Sequence, residues 1–269
     1  MHRTFKLAFK DYPIPFELTR DEFVIKFIEK LNINFSLSAG AYNKDLLIGF
    51  LFNSIENYEE KLTAYNGGTG VIPGYRRLGV ASNLYHQLIA PLKESRVQQC
   101  VLEVLTKNNA AIRLYEKIGF QKVRLLNCYK LYSIKFDSKS KEFLVETGVS
   151  LPKEYRNWLT YNPSFLDSPA MLNRYISTEK ILLARDKESI VGFMVIQTSN
   201  GRISTFGIHP EKGAEIGFAL VKKGLEISRN KQLTILNIDE NSDSMSTLLE
   251  SIGFKNEISQ YEMQMDLTT

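Results

Sequence analysis

Two short stretches hold the residues whose types and spacing could do chemistry. The first is Arg76-Arg77-Leu78-Gly79-Val80-Ala81, set between Pro73 and an apolar helical pattern with Val80, Leu84 and Leu88 on one face. The first N–H groups of a helix lack intrahelical partners, and the helix dipole adds partial positive charge there. A strand, a proline and a small-residue turn opening a helix is therefore a geometry for holding a phosphate. Gly79 and Ala81 would let a diphosphate approach the backbone, and Arg76 or Arg77 could add charge-assisted hydrogen bonds. Taken alone, the same residues would also suit an ordinary helix start with solvated arginines. The second stretch, Asn108 to Phe120 ("NNAAIRLYEKIGF"), follows the apolar strand pattern "VLEVL". Asn108 suits a helix cap. Tyr115 is one member of an apolar face with Ala111, Leu114 and Ile118. Glu103, inside the strand, needs a partner or a function. It could be half of a cross-strand ion pair.

Together, in this order, "V-x-P-x-Y-R-x-x-G-x-A" and "N-x-x-A-x-x-L-Y-x-x-x-G-F" resemble the GCN5-related N-acetyltransferase (GNAT) family over about residues 35–132. A dinucleotide site is not an alternative, because G-x-G-x-x-G is missing, and "GGTG" (67–70) precedes a strand end rather than a helix. The resemblance implies transfer of an acetyl group from acetyl-CoA to a primary amine by direct attack, without a metal. It implies that the backbone amides of Arg76, Arg77, Leu78, Gly79, Val80 and Ala81 hold the CoA pyrophosphate. Val71 and Ile72 would meet the pantetheine arm through their main chain, with Val71 also an oxyanion donor, and Asn108 would contact the CoA arm. Tyr115 would protonate the departing thiolate. Glu103 stands where some relatives carry a glutamate base, with Tyr65 and Glu56 as weaker alternatives. An acceptor amine with a lysine-like pKa of about 10.4 must lose a proton before it attacks.

The elements that must position these residues recur. The hairpin pattern of 41–53, "TGVIPGYRRLGVASNLYHQLI", "CVLEVL" and the block ending at Gly119-Phe120 return as a hairpin over 184–197, "FGIHPEKGAEIGFALVKKGLEI", "LTILNI" and a block ending at Gly253-Phe254. The chain is thus expected to be an α/β (α+β) protein of two tandem GNAT-like domains, 1–137 and 138–269. Each would be a mixed twisted sheet with flanking helices and splayed central strands, joined near "FDSKSKEF" (136–143). In the first copy, residues 4–10 and 19–31 read as helices, the second with Thr19 and Glu22 as a capping box. Strands are expected near 35–42, 46–55 and 60–72, with "NGG" (66–68) marking a bulge. A helix ended or kinked at Pro91 follows, then strand 99–105 and a helix closed by Gly119. Strands near 120–124 and 127–136 would finish the copy. Relatives carry a strand before the first helix; here that strand is either absent, leaving a sheet edge to be covered, or replaced by another segment.

The second copy departs from the motif. Aligned on proline, Glu215 replaces Gly79 and Lys212 stands for an arginine. Counting back from Gly-Phe, Leu249 replaces Tyr115 and Ser242 replaces Asn108. A carboxylate at the turn would repel a diphosphate, so the copy is expected to be degenerate. Residues 155–175, with Trp158 and a Ser168-Pro169 helix start, would pack between the domains or wall the acceptor cleft.

With 269 residues, 43% hydrophobic, 24% charged and a net charge of +4 spread along the chain, composition argues against nucleic acid and against a membrane span. Cys100 and Cys128 lack metal-ligand spacing and read as reduced core thiols of a cytoplasmic protein, monomer or homodimer. His2, His86 and His209 form no constellation. The acceptor is a small-molecule or protein amine. Two other readings are an acyl-CoA-binding sensor without turnover and an aminoacyl transferase using tRNA, against which the CoA motif and modest charge count.

Overall fold

The computed structural model describes residues 1–13, 18–135 and 143–268, so the expected junction lies, apart from Phe143, outside them. The chain starts with helix α1 (His2–Ala8), followed by α2 (Arg20–Phe23), which runs on as a π-helical turn over Val24–Glu29. Thr19 caps α2 as its sequence predicts: its hydroxyl accepts from the Glu22 N–H, and the Glu22 carboxylate accepts from the Thr19 N–H. Strands β1 (Ala39–Asn43), β2 (Leu46–Tyr58) and β3 (Lys61–Val71) form an antiparallel meander. Residues 35–37, expected to be strand, form a 3-10 turn capped by Asn34. Helix α3 (Val80–Glu94) continues through Pro91, one turn past the expected stop. Proline there removes a single hydrogen bond, and the Ser95 N–H closes onto Pro91 O at 3.0 Å. Strand β4 (Gln99–Leu105) and helix α4 (Asn109–Ile118) follow, the latter ended by Gly119 at φ 117°.

Next come β5 (Gln121–Leu131), β6 (Leu144–Gly148), α5 (Pro169–Tyr175), β7 (Lys180–Asp186), β8 (Ser189–Gln197), β9 (Arg202–Ile208), α6 (Glu215–Ile227), β10 (Thr234–Asp239), α7 (Asp243–Ile252) and β11 (Phe254–Asp266). The chain divides into two compact units, Met1–Val123 with Glu262–Thr269, and Arg124–Tyr261. This differs from the expected division at 137/138. Most of β5 belongs to the second unit, and the first is finished by the end of β11, beside β4, where the Leu267 N–H donates to Gln98 O at 2.9 Å.

The repeat extends to details of register. Phe50 pairs with Gly70 in the first unit and Phe193 with Gly207 in the second. A Cβ on Gly70 or on Gly207 would stand 2.5 Å from the ring of its partner, so glycine is required where the phenylalanine lies across the strand. Both sheets also bulge at matching places, with Ile48 extra in β2 and Val191 extra in β8, and with Gly67 extra in β3 and Ser204 extra in β9. In the first core, Phe5 packs its ring against Phe23, Phe27 and Phe50 at 4.9, 4.8 and 5.9 Å. The second core gathers Phe206, Leu220, Ile238 and Leu249, all fully buried.

Candidate active site

Strands β3 and β4 pair in parallel only through Thr63–Gln99, Ala64–Cys100 and Tyr65–Val101. Beyond Tyr65 they part, as the resemblance implies for central strands. The gap opens into a cavity of about 620 Å³ lined by Thr69, Gly70 and Val71 of β3, Leu105 of β4, the turn before α3, the start of α4 and residues 8–13.

The turn before α3 follows from its backbone. Arg77 (φ 64°) and Gly79 (φ 75°) are both left-handed. Nothing lies within 4 Å of where a Gly79 Cβ would stand, so the glycine is needed for its conformation rather than to avoid a clash. The first helical bond runs from the Asn83 N–H to Gly79 O at 2.9 Å. The N–H groups of residues 77–82 therefore make no backbone hydrogen bond among the described residues. They form a concavity of backbone donors at the positive end of a 15-residue helix, a setting that suits an anion. These donors, a left-handed glycine open to the cavity and the exposed Arg77 fit the diphosphate of a CoA ester.

The structure separates the two arginines. Arg76 is committed internally: Nη2 donates to Asp11 Oδ1 (2.7 Å) and Ala8 O (2.9 Å), and Nε donates to Val71 O (3.1 Å). The guanidinium beside Asp11 holds that carboxyl down at about 2. Arg77 has no side-chain partner among the described residues and lines the cavity. Of the other expected cofactor positions, Val71, Val80, Ala81 and Asn108 line the cavity. The Leu78 side chain is 67% exposed and turned out of it. The Ile72 N–H is spent on Ile48 O at 3.0 Å, and its side chain joins the core, so its main-chain donor is not available to pantetheine. The Asn108 side chain caps α4 by accepting from the Ala111 N–H at 3.2 Å.

Tyr115 is 8% exposed and lines the cavity. Burial pushes its phenol up to about 12, against a smaller lowering by the Thr69 and Tyr85 hydroxyls beside it. Its ring meets Tyr85 edge-on at 5.9 Å and Phe120 at 5.7 Å. Glu103 accepts a short hydrogen bond from the Tyr65 hydroxyl, so two of the expected base candidates are one pair. Neither lines the cavity. Two features went unread in the sequence: Asn66 behind Tyr85 and Thr69, and the segment Phe9 to Pro13 along the cavity wall. The bulge signal at "NGG" was the available pointer to Asn66.

In the second unit the matching positions are covered. Phe206 and Gly207 correspond to Thr69 and Gly70, yet Phe206 is fully buried, and the Trp158 carbonyl lies 3.0 Å from where a Gly207 Cβ would stand. Burial pushes the Tyr161 phenol up to about 12, beside the Thr205 hydroxyl and the Phe206 backbone. A Cβ on Gly213 would lie 2.1 Å from Glu215 Oε2, so the Glu215 carboxylate is folded back over its own helix start.

Residues 1–120 match a family model described as the acetyltransferase (GNAT) family. Curated relatives include "Probable N-acetyltransferase san" of Drosophila melanogaster, 32% identical over 82 residues covering 30% of this chain and 45% of that protein. N-alpha-acetyltransferase MAK3 of Arabidopsis thaliana is 29% identical over 91 residues, covering 34% and 48%. The chain spans less than half the length of these relatives. Among solved structures, a tandem GNAT protein from the clavulanic acid biosynthesis pathway superposes with a TM-score of 0.70 at 12% identity, covering 99% of this chain and 94% of that one. A GCN5-related N-acetyltransferase from Sphaerobacter thermophilus gives 0.67 at 13% identity, covering 98% and 91%. These likenesses establish the fold over both units, and residues 1–120 match the GNAT acetyltransferase family.

Proposed function

We propose that the first unit is an N-acetyltransferase that uses acetyl-CoA to acetylate a primary amine by direct attack, and that the second unit does not bind CoA. The observation carrying the first part is that the unpartnered N–H groups of residues 77–82 and the Tyr115 phenol border one cavity in the gap between β3 and β4. The turn residues and Arg77 would hold the diphosphate, and the exit of β3 would run beside the pantetheine arm. Bound acetyl-CoA supplies an activated acetyl group and a thiolate leaving group. Tyr115 holds a proton at its phenolic oxygen for that sulfur; a positioned acid of this kind contributes roughly 10²–10⁴-fold. Glu103, bonded to Tyr65, is the candidate to take the amine's proton, through water, since it stands back from the cavity.

Asp11 is the carboxylate lining the cavity, and Arg76 takes its charge. Among the described residues that wall carries no spare negative charge, which does not favour a polycationic acceptor. The relatives named as N-alpha-acetyltransferases point to the α-amine of a polypeptide. With a pKa of about 7.7–8.0, an α-amine is also easier to deprotonate than a lysine. Thiol release from acetyl-CoA should appear with short peptides bearing a free N-terminus and fall away with N-terminally blocked peptides. CoA binding without turnover on any amine, unaffected by Tyr115→Phe, would instead identify a sensor.

A further inference from the structure

Helix α7 of the second unit starts with the same backbone conformation as α4 but lacks its cap. Asn108 (φ −89°, ψ 66°) closes α4, its side-chain carbonyl accepting from the Ala111 N–H at 3.2 Å. Ser242 holds the matching place at φ −92°, ψ 64°, and its hydroxyl makes no cap bond. The serine oxygen sits one atom nearer the backbone than the asparagine oxygen, so the Met245 N–H stays unmet. The first helical bond of α7 runs from the Ser246 N–H to Ser242 O at 3.0 Å, so the N–H groups of Asp243, Ser244 and Met245 make no backbone hydrogen bond among the described residues. Ser242 is only 8% exposed, and its hydroxyl has no partner among the described residues. It lines an open hollow of about 700 Å³ between the start of α7 and residues 156–163. Buried polar groups are normally bonded, so this hydroxyl and three helix-end donors present an unfilled set to the hollow.

The charges around the hollow select what fits it. Asp239 lines it but is engaged: Oδ2 accepts from Arg124 Nη1 at 3.3 Å, and Oδ1 accepts from the Asn241 N–H and Nδ2 at 3.0 and 3.1 Å. Arg124 also donates to Asn162 O at 2.8 Å, which ties the opposite wall to β10. Arg156 lies over the Tyr155 ring and has no carboxylate partner among the described residues, so it brings one spare positive charge to the hollow. Asp243, exposed on the first turn of α7, does not line it. One spare cation matches a monoanion, and Leu159, Tyr161 and Pro163 make the rest of the lining apolar. We propose that the start of α7 and Arg156 form a binding site for a small monocarboxylate with an apolar or aromatic body. The carboxylate oxygens accept from the Ser242 hydroxyl and the free N–H groups, Arg156 supplies the countercharge, and the body lies against Leu159 and Tyr161. This site is separate from the start of α6, over which Glu215 is folded, and it does not depend on acetyl transfer by the first unit.

The test titrates the isotope-labelled full chain with benzoate, benzamide and inorganic phosphate, and follows the amide signals of Asp243, Ser244 and Met245 by NMR. Benzoate should shift them saturably. Benzamide keeps the ring without the charge and should bind roughly 10-fold more weakly or worse. Phosphate has the charge without an apolar body and should also bind more weakly. Ser242→Asn should cap α7 as Asn108 caps α4, and so lower benzoate affinity by roughly 10-fold. Arg156→Gln changes an exposed side chain, leaves the fold intact and should lower it by a similar factor. No saturable shift with benzoate, equal affinity for benzoate and benzamide, or unchanged benzoate affinity in either variant would overturn the site. Phosphate binding as tightly as benzoate would overturn the monocarboxylate assignment.

Discussion

Arg76 and Asp11 form a fork-on-fork ion pair, with Nη2 to Oδ1 at 2.7 Å and Nη1 to Oδ2 at 2.5 Å, between the turn before α3 and the segment after α1. With the further bonds to Ala8 O and Val71 O, one guanidinium fastens the cavity wall of residues 8–13 to the exit of β3. That leaves Arg77 as the motif arginine able to reach a ligand.

The two arginines should accordingly fail differently. Arg77→Ala should weaken acetyl-CoA binding by roughly 10-fold, the loss of one charge-assisted hydrogen bond. Arg76→Ala should speed amide hydrogen exchange across α1 and the residues after it. Calorimetric titration with CoA, together with exchange read by mass spectrometry, separates the two effects.

The pair also sets a pH dependence. Hydrogen bonding from Arg76 depresses the Asp11 carboxyl to about 2 in the folded protein, below the usual value of about 3.9. A depressed folded pKa means that its contribution is fully present above about pH 4 and is lost as pH falls towards 2. The difference in exchange protection between the wild-type chain and Asp11→Asn should therefore be constant from pH 7 to about pH 5 and vanish near pH 2. The site is exposed, so the effect belongs to the local segment rather than to global stability.

Two glycines of the site should respond to alanine for different reasons. Gly79→Ala adds a methyl group to open space at φ 75° and should cost roughly 1 kcal/mol of conformational strain. Gly70→Ala would put a Cβ 2.5 Å from Phe50 Cζ and 2.9 Å from Ala8 Cβ, and should cost about 1–3 kcal/mol through overpacking. Denaturant unfolding measures both, and the second should also displace α1.

Tyr115→Phe should lower the rate of acetyl transfer by roughly 10²–10⁴-fold with CoA affinity nearly unchanged. Glu103→Gln should lower kcat/KM most below neutral pH, where the amine is protonated. Rates measured across pH with one peptide acceptor would distinguish the acid from the base.

One chain should bind one CoA. The segment around Trp158 and Tyr161 lies over Phe206 and Gly207, and Glu215 closes its own helix start, so calorimetry should give a stoichiometry of about one, reduced to none by disruption of the Arg77–Ala81 turn.

Much of the site was legible because its causes are local. A left-handed turn needs Gly79, a helix start leaves N–H groups unbonded, and Thr19 with Glu22 makes a capping box whatever surrounds it. The bulge at Asn66–Gly68 was readable because glycines inside a strand pattern mark a break in pairing. Glu103 and Tyr65 were both legible as candidates. Their pairing was not, since the two residues stand on different strands and only the sheet aligns them.

The amino-acid sequence by itself determined the repeat, the small-residue turn that opens α3, the phenol at position 115 and the missing motif residues of the second copy. Periodicity, capping and turn chemistry act within a few residues, so they survive in one dimension. The tertiary structure alone decided which arginine stays free, because Asp11 competes for Arg76 from 65 residues away in the chain. It also decided that β5 leaves the first unit while Glu262–Asp266 completes it. Each of those strands follows a Gly-Phe helix end with a similar apolar pattern, and nothing local distinguishes them. Strand partners are chosen by long-range hydrogen bonding and shared burial, which appear only once the chain has folded.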